Sequence, residues 1–366
     1  MRKLRMEKWM VAYFAALGIV LATTGLHIPD GYLSPVTSAI LFALVLPFWI
    51  KGVRDLRARV NAQTIPLVAL MAAFSFIIMM FNVPLPGGTT GHAVGAAIAG
   101  IVLGPGVATI AVSIALIIQA LVFGDGGILA IGANCFTMAV AMPYVADAIY
   151  RAIVGAGEPQ RVRSLVGGAV AGYVSLAVAA LLTAFLFGIQ PALYTDAAGT
   201  PLYAPYPLSV AIPAMMIPHL AVACPVEALL TVAILGYLWS ARPALLTSQA
   251  APAPSGAAAG RLTGLWIALA ALIIIVPVGL LAPGTAWGEW GAHELSELGL
   301  DFIPAGLERL GSLWGAPIPD YDIPALCNVN ISYWLSAIVG TGLTVLVIWL
   351  ISKLVVRKSV NEERAG

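Results

Sequence analysis

"GHAVGAAIAGIVLG", residues 91–104, is a run of small and apolar residues closed by Gly-Pro-Gly at 104–106. At about 1.5 Å per residue it is short for a helix that must span a hydrocarbon core of roughly 30 Å. Whether the chain crosses here decides the sidedness of everything that follows. The cationic residues settle it. Lysines and arginines fall at 2, 3, 5 and 8, at 51, 54, 57 and 59, at 151, 161 and 163, at 242 and 261, and at 353, 357, 358 and 364. With the N-terminus inside, every one of the 18 except Arg309 lies on the cytoplasmic side, as short loops of membrane proteins prefer. Arg59 and Arg151 must then be joined by an even number of crossings, so 91–104 has to cross, or nearly cross. The Gly91/Gly95 and Gly100/Gly104 spacings suit a helix pressed closely into a bundle. A helix wrapped in protein need not match the bilayer.

The rest of the composition agrees. The 366 residues are 60% apolar and 10% charged, with mean hydropathy +0.96, against about 25% charged in an ordinary soluble domain. Crossings are predicted over 9–25, 35–50, 65–82, 91–104, 106–123, 134–150, 164–188, 208–240, 262–282 and 331–352. The expected fold is an all-α polytopic bundle of about seven core helices, with an N-terminal leader and two C-terminal helices. Pro213, Pro218 and Pro225 make 208–240 a single broken or bent crossing. A Pro/Ala/Ser-rich linker at 241–261 separates a membrane block, 26–240, from a C-terminal block, 262–366. In the latter, two helices bracket an external segment, 283–330, that carries seven acidic residues against Arg309. Cys135, Cys224 and Cys327 form no CxxC pair and read as small packing residues. A net charge of +1 gives no sign of a nucleic-acid partner.

Residues 1–25 have a basic start, an apolar middle and a small-residue end, the pattern of a secretory signal peptide or of an uncleaved signal anchor. Cleavage after Gly25 would make Leu26 the N-terminus and His27 the second residue. An amine followed by histidine is a compact chelator: the amine, the His27 backbone nitrogen and the His27 imidazole close fused rings on one ion. His92, on the same external side, can add a fourth nitrogen. Four nitrogens in a plane suit nickel(II) or copper(II), with cobalt(II) tolerated. The bland alternative makes His27 an interfacial loop residue and His92 a helix-start residue bonded to backbone.

"HIPDGYLSP" at 27–35 and, 65 residues after its histidine, "GTTGHAVGAAIAGIVLGP" at 88–105 resemble the CbiM/NikM family. These are the substrate-capture membrane components of energy-coupling-factor transporters for cobalt and nickel. The resemblance covers about 26–240. It implies a multi-pass protein of the cell's inner (plasma) membrane, with metal held by the amine of Leu26, by His27 and by His92. It further implies partner ATPase subunits and a membrane coupling subunit, with cobalt or nickel as cargo and no resident cofactor. Family members begin Met-His where this chain has Leu26-His27 behind an extension; only the amine of residue 26 would bind metal. The C-terminal block, with "AWGEWG" at 286–291 and its acidic external loop, resembles a fused NikN/CbiN accessory subunit.

No GxxxxGK[ST] phosphate loop and no HExxH occurs in the sequence, so the chain is expected to be a transport subunit and not an enzyme. His219 and Glu227 lie inside a crossing, where ionisable groups are functional by default. They define a second reading, a stand-alone proton-coupled metal transporter or channel. Their structural alternative is that they satisfy backbone groups freed by the prolines. Asp30-Gly31 and Asp125 in "GDGG" read as turn formers. Asp147 and Arg151 read as a surface pair at i, i+4.

Overall fold

The computed structural model describes residues 26–59, 64–85, 89–155, 160–241, 246, 262–282 and 285–365. The leader and most of the linker lie outside the described residues. Helix α1 spans Pro35–Arg59 and α2 spans Thr64–Met79. A two-stranded antiparallel hairpin, Val83–Leu85 with Thr89–Gly91, precedes α3, Ala96–Leu103. Helix α4, Pro105–Ile118, runs on as a π-helical turn, Gln119–Phe123. Ile131–Asn134, the π-helical Cys135–Ala141 and Met142–Val154 join end to end as α5. Helix α6 is Arg161–Leu193 and α7 is Leu208–Ala241. In the C-terminal block α8 is Thr263–Leu281 and two short helices follow, α9 (Ala292–Glu297) and α10 (Ala305–Gly311). The last helix, α11, is Val329–Ala365. Among the described residues, six helical stretches are long and apolar enough to cross a membrane. The chain is therefore a polytopic all-α membrane protein.

Local sequence explains the ends that matter. Pro35 opens α1 at a position that needs no N–H, and the Ser34 hydroxyl caps it by accepting the Thr37 N–H at 3.0 Å. The face of α1 bearing Val36, Ile40, Leu44 and Ile50 is exposed, as suits contact with lipid instead of a protein core.

The fourteen-residue helix expected at 91–104 is shorter than its sequence suggested. Residues 92–95 are irregular, with Gly95 in the left-handed region at φ +71, and only Ala96–Leu103 is helical. The cause is a side chain from α7. The Glu227 carboxylate accepts the N–H groups of Val94 and Gly95 at 2.8 and 2.9 Å and of Ala97 at 3.3 Å. These donors at the start of α3 would otherwise lie buried without a partner. Every residue of α3 is buried. Gly100 faces Pro143 so closely that a Cβ there would stand 2.7 Å from the Pro143 carbonyl oxygen, a contact that admits only glycine.

Helix α3 nevertheless joins the two ends of the bundle. At its C-terminus the Arg59 guanidinium donates to the Leu103 carbonyl at 2.9 Å, beside the Lys51–Asp55 pair on α1. At its N-terminus stand His92 and the loops of the opposite end. There the segment 26–34 meets 124–130, 194–207 and the C-terminal block: Gly127 N–H bonds Ile28 O at 2.9 Å, Ala204 N–H bonds Tyr32 O at 3.0 Å, and Gly306 N–H bonds Leu202 O at 2.7 Å.

The C-terminal block is docked on the membrane block. Helices α8 and α11 pack on α2, and α11 also packs on α4. The Tyr333 hydroxyl donates to Met80 O at 2.6 Å. Tyr321 stacks on Phe123 with ring centres 4.7 Å apart and meets Phe76 and Tyr333 edge-on. Asp147 and Arg151 form the expected i, i+4 pair at 2.8 Å.

Candidate metal centre

Residues 26–34 do not drape over the surface. Leu26, His27, Ile28, Tyr32 and Leu33 are all buried, and the polar atoms of the segment are met from several elements. The Ile28 N–H donates to Asn134 Oδ1 at 2.8 Å, and Asn134 Nδ2 donates back to Ile28 O at 3.1 Å. Ser34 N–H donates to Gln190 Oε1 at 3.0 Å. Asp30, read from sequence as a turn former, accepts the N–H groups of Ile128 and Leu129 at 3.0 and 2.8 Å. Burial holds its carboxyl above the ordinary range despite those bonds. The 124–127 loop can lie this close because Gly126 has φ +86 and its missing Cβ would stand 2.9 Å from Asn134 Nδ2.

This threading brings His27 to His92. His27 Nδ1 lies 3.2 Å from His92 Nε2, with ring centres 4.9 Å apart. His92 Nδ1 donates to the Ala93 carbonyl at 3.1 Å, so its Nε2 carries the lone pair that faces His27. Asp125 Oδ1 also lies within 3.1 Å of His27 Nδ1. Two acceptors around Nδ1 assign the proton of this imidazole to Nδ1. Its Nε2 is buried with no hydrogen-bond partner among the described residues.

Three more groups complete the surroundings. Asp125 Oδ2 accepts the Tyr321 hydroxyl at 2.5 Å and Gln119 Nε2 at 3.3 Å. The His27 backbone N–H donates to Glu289 Oε1 at 3.1 Å. Burial, and then the negative charge of Asp125, push Glu289 well above the ordinary carboxylate range. Among the described residues no three side chains of His, Cys, Asp and Glu already surround one point. Among the described residues, side chains alone do not make a finished cage here.

The sequence had singled out Leu26, His27 and His92, and all three lie together and buried. Asp125 was read as a turn former and stands with its Oδ1 3.1 Å from His27 Nδ1. Glu289 and Tyr321 were not singled out at all. Their sequence signal was faint: an acidic residue between two tryptophans in "AWGEWG", and a tyrosine in the acidic loop. Of the intramembrane pair, Glu227 is engaged by three backbone N–H groups. His219 bonds the carbonyl one turn back, Met215 O, at 2.8 Å in the π-helical turn after Pro218. It still lies near enough to interact electrostatically with His92.

The profile of the CbiM family, described as "Cobalt uptake substrate-specific transmembrane region", matches residues 27–245. The chain belongs to the CbiM family. A second profile, the PDGLE domain, matches residues 261–357. This CbiM-family chain is 49% identical over 335 residues to the "Fused nickel transport protein NikMN" of Rhodobacter capsulatus, an alignment covering 87% of this chain and 95% of that one. It is 40% identical to the "Probable fused nickel transport protein LarMN" of Lactiplantibacillus plantarum, over 88% of this chain and 96% of the relative. A solved structure described as a truncated transition metal transporter matches with 47% identity and TM-score 0.54, covering 58% of this chain and 98% of that chain. The molecule is thus a multi-pass membrane component for cobalt or nickel transport, of the CbiM/NikM kind.

Proposed function

We propose that this chain is the substrate-specific membrane component of an ATP-driven, energy-coupling-factor uptake system. It takes cobalt(II) or nickel(II) at the external end of the bundle. The metal is held by the amine of Leu26 after removal of residues 1–25, by the backbone nitrogen and Nδ1 of His27, and by Nε2 of His92. The observation that carries this reading is the pair of nitrogens, His27 Nδ1 and His92 Nε2, facing each other at 3.2 Å in a buried site. Only Nδ1 of His27 can close a six-membered ring with its own backbone nitrogen, and Nδ1 is the atom turned toward His92. With metal on Nδ1, the ring proton must sit on Nε2, the nitrogen that now carries none. The four-nitrogen set suits nickel(II), with cobalt(II) tolerated. The names of the fused nickel relatives support that cargo.

The two family matches, at 27–245 and 261–357, support a division of labour. Residues 26–240 form the capture block, 241–261 a cytoplasmic linker, and 262–366 a two-helix accessory block with the acidic external loop. Energy comes from cytoplasmic ATPase subunits acting through a membrane coupling subunit, since this sequence carries no phosphate loop of its own. Proton-coupled transport by His219 and Glu227 is the weaker reading. Glu227 already accepts three backbone N–H groups and has little capacity left to carry protons.

Titration of purified protein with nickel(II) and cobalt(II) tests the assignment, together with N-terminal sequencing. His27→Ala should abolish high-affinity binding while the protein still inserts and folds. Unchanged affinity for both ions would overturn the ligand set.

A further inference from the structure

Asp125 has no part in the four-nitrogen site, yet it holds the nitrogen that the metal must take. Its Oδ1 lies 3.1 Å from His27 Nδ1, and His92 Nε2 lies 3.2 Å from the same atom. The three groups differ in access. The His27 side chain is 2% exposed and that of Asp125 20%, while His92 is buried. An ion arriving from the external loops therefore meets the carboxylate before it meets either imidazole. The same carboxylate is firmly aimed. Tyr321 and Gln119 both donate to Oδ2, which leaves Oδ1 directed at His27. Tyr321 is itself locked by stacking on Phe123 and by a backbone at φ +59, a conformation that a bulky residue adopts only where packing enforces it. Among the described residues no lysine or arginine pairs with Asp125, so nothing cationic competes for it.

The geometry points to Asp125 as the first ligand of the incoming metal, a carboxylate that binds the hydrated ion and passes it to His27 Nδ1. This rests on the four-nitrogen reading of the site and adds a residue to the path. The ion replaces the Nδ1 proton between Asp125 and His27, and that proton leaves for the unprotonated Nε2 or for water. Oxygen donors suit a divalent ion that still carries its waters. The imidazoles take it once it is stripped. A carboxylate placed at the threshold also raises the local cation concentration, an effect that speeds charged ligands by about 10-fold to 1000-fold and fades with salt.

The test is stopped-flow mixing of nickel(II) ion with the purified chain that begins at Leu26, followed by the visible absorption of the nitrogen-bound metal. Asp125→Asn should lower the association rate constant at least about 10-fold and flatten its dependence on ionic strength, while Asp125→Glu retains most of both. The absorption spectrum at saturation should match the unsubstituted protein, because the four nitrogens remain. An association rate within about twofold of the unsubstituted chain overturns the proposal. So does loss of the saturated spectrum, which would make Asp125 a permanent part of the site. If Asp125→Asn does not accumulate, the salt dependence of the unsubstituted protein serves instead, and a rate indifferent to salt refutes the idea. His27→Ala separates the two claims: if it binds nickel(II) normally the nitrogen site is wrong, whatever Asp125 does.

Discussion

Replacing Glu227 tests how the protein holds His92 without touching a proposed ligand. The carboxylate is fully buried and accepts N–H groups from Val94, Gly95 and Ala97 at 2.8, 2.9 and 3.3 Å. Val94 is two residues beyond His92, so these bonds fix the backbone from which that imidazole projects. Hydrogen bonds to a charged group contribute about 1.5–3 kcal/mol each, so the two short ones together hold roughly 3–6 kcal/mol. Backbone relaxation and an inserted water would offset part of that. Only the share that displaces His92 reaches the metal. Outer partners of metal-binding histidines typically change affinity about 10-fold to 100-fold, and we expect Glu227→Ala to weaken nickel(II) binding by that range. Glu227→Gln should be nearly as damaging, because the carboxamide turns an NH2 toward backbone donors that need an acceptor. Isothermal titration of both variants in detergent, with thermal melts in the absence of metal, gives affinity and stability separately. Both variants binding within about twofold of the unsubstituted protein would refute the positioning argument. If binding stayed intact and only uptake into vesicles failed, the proton-relay reading would gain instead.

Three further outcomes are expected. Gly25→Trp, which blocks cleavage at the presumed site, should retain the leader by mass spectrometry and weaken metal binding at least about 10-fold, since an amide nitrogen replaces an amine. Tight binding by a chain that natively keeps its leader would instead require a differently built site. Glu289→Gln removes the carboxylate facing the His27 N–H, the proton that must leave if this nitrogen binds metal. Equilibrium dialysis against nickel(II) should show an affinity lowered about 10-fold to 100-fold, and an unchanged value would mean that the accessory block only covers the site. His219→Ala should leave nickel(II) affinity within about 3-fold, because its imidazole bonds the Met215 carbonyl of its own helix, although transport in vesicles is expected to slow. A loss as large as that of His92→Ala would make His219 a ligand.

Much of the fold was written in side-chain polarity along the chain. Hydropathy marked the six helices long and apolar enough to cross a membrane among the described residues. The two histidines were legible because each sits in a distinctive local motif at a fixed interval. What could not be read was everything that depends on distant segments meeting. Glu289 and His27 are 262 residues apart, and Tyr321 and Asp125 are 196 apart. Nothing local to "GDGG" separates a turn former from a carboxylate aimed at a ring nitrogen. The start of α3 was misread for the same reason, since the carboxylate that meets the N–H groups of its first turn arrives from α7. The register shift left by the π-helical turns at 119–123, 135–141 and 219–223 was equally invisible, because an extra residue per turn has no compositional mark.

The short helix α3 carries one more consequence. Its surface touches protein on every side, whereas α1 and α8 turn much of theirs outward: Val36 and Ile40 on one, Ile267, Ile274 and Val278 on the other. A bilayer that thickens or thins acts on the hydrophobic length of the helices it touches, making them tilt or stretch at a modest cost per ångström. Helix α3 is insulated from that load. The depth of His92 is therefore set by Pro143, Arg59 and Glu227, which are parts of the same molecule, and not by the lipid. The perimeter can accommodate membranes of different thickness while the histidine pair keeps its distance.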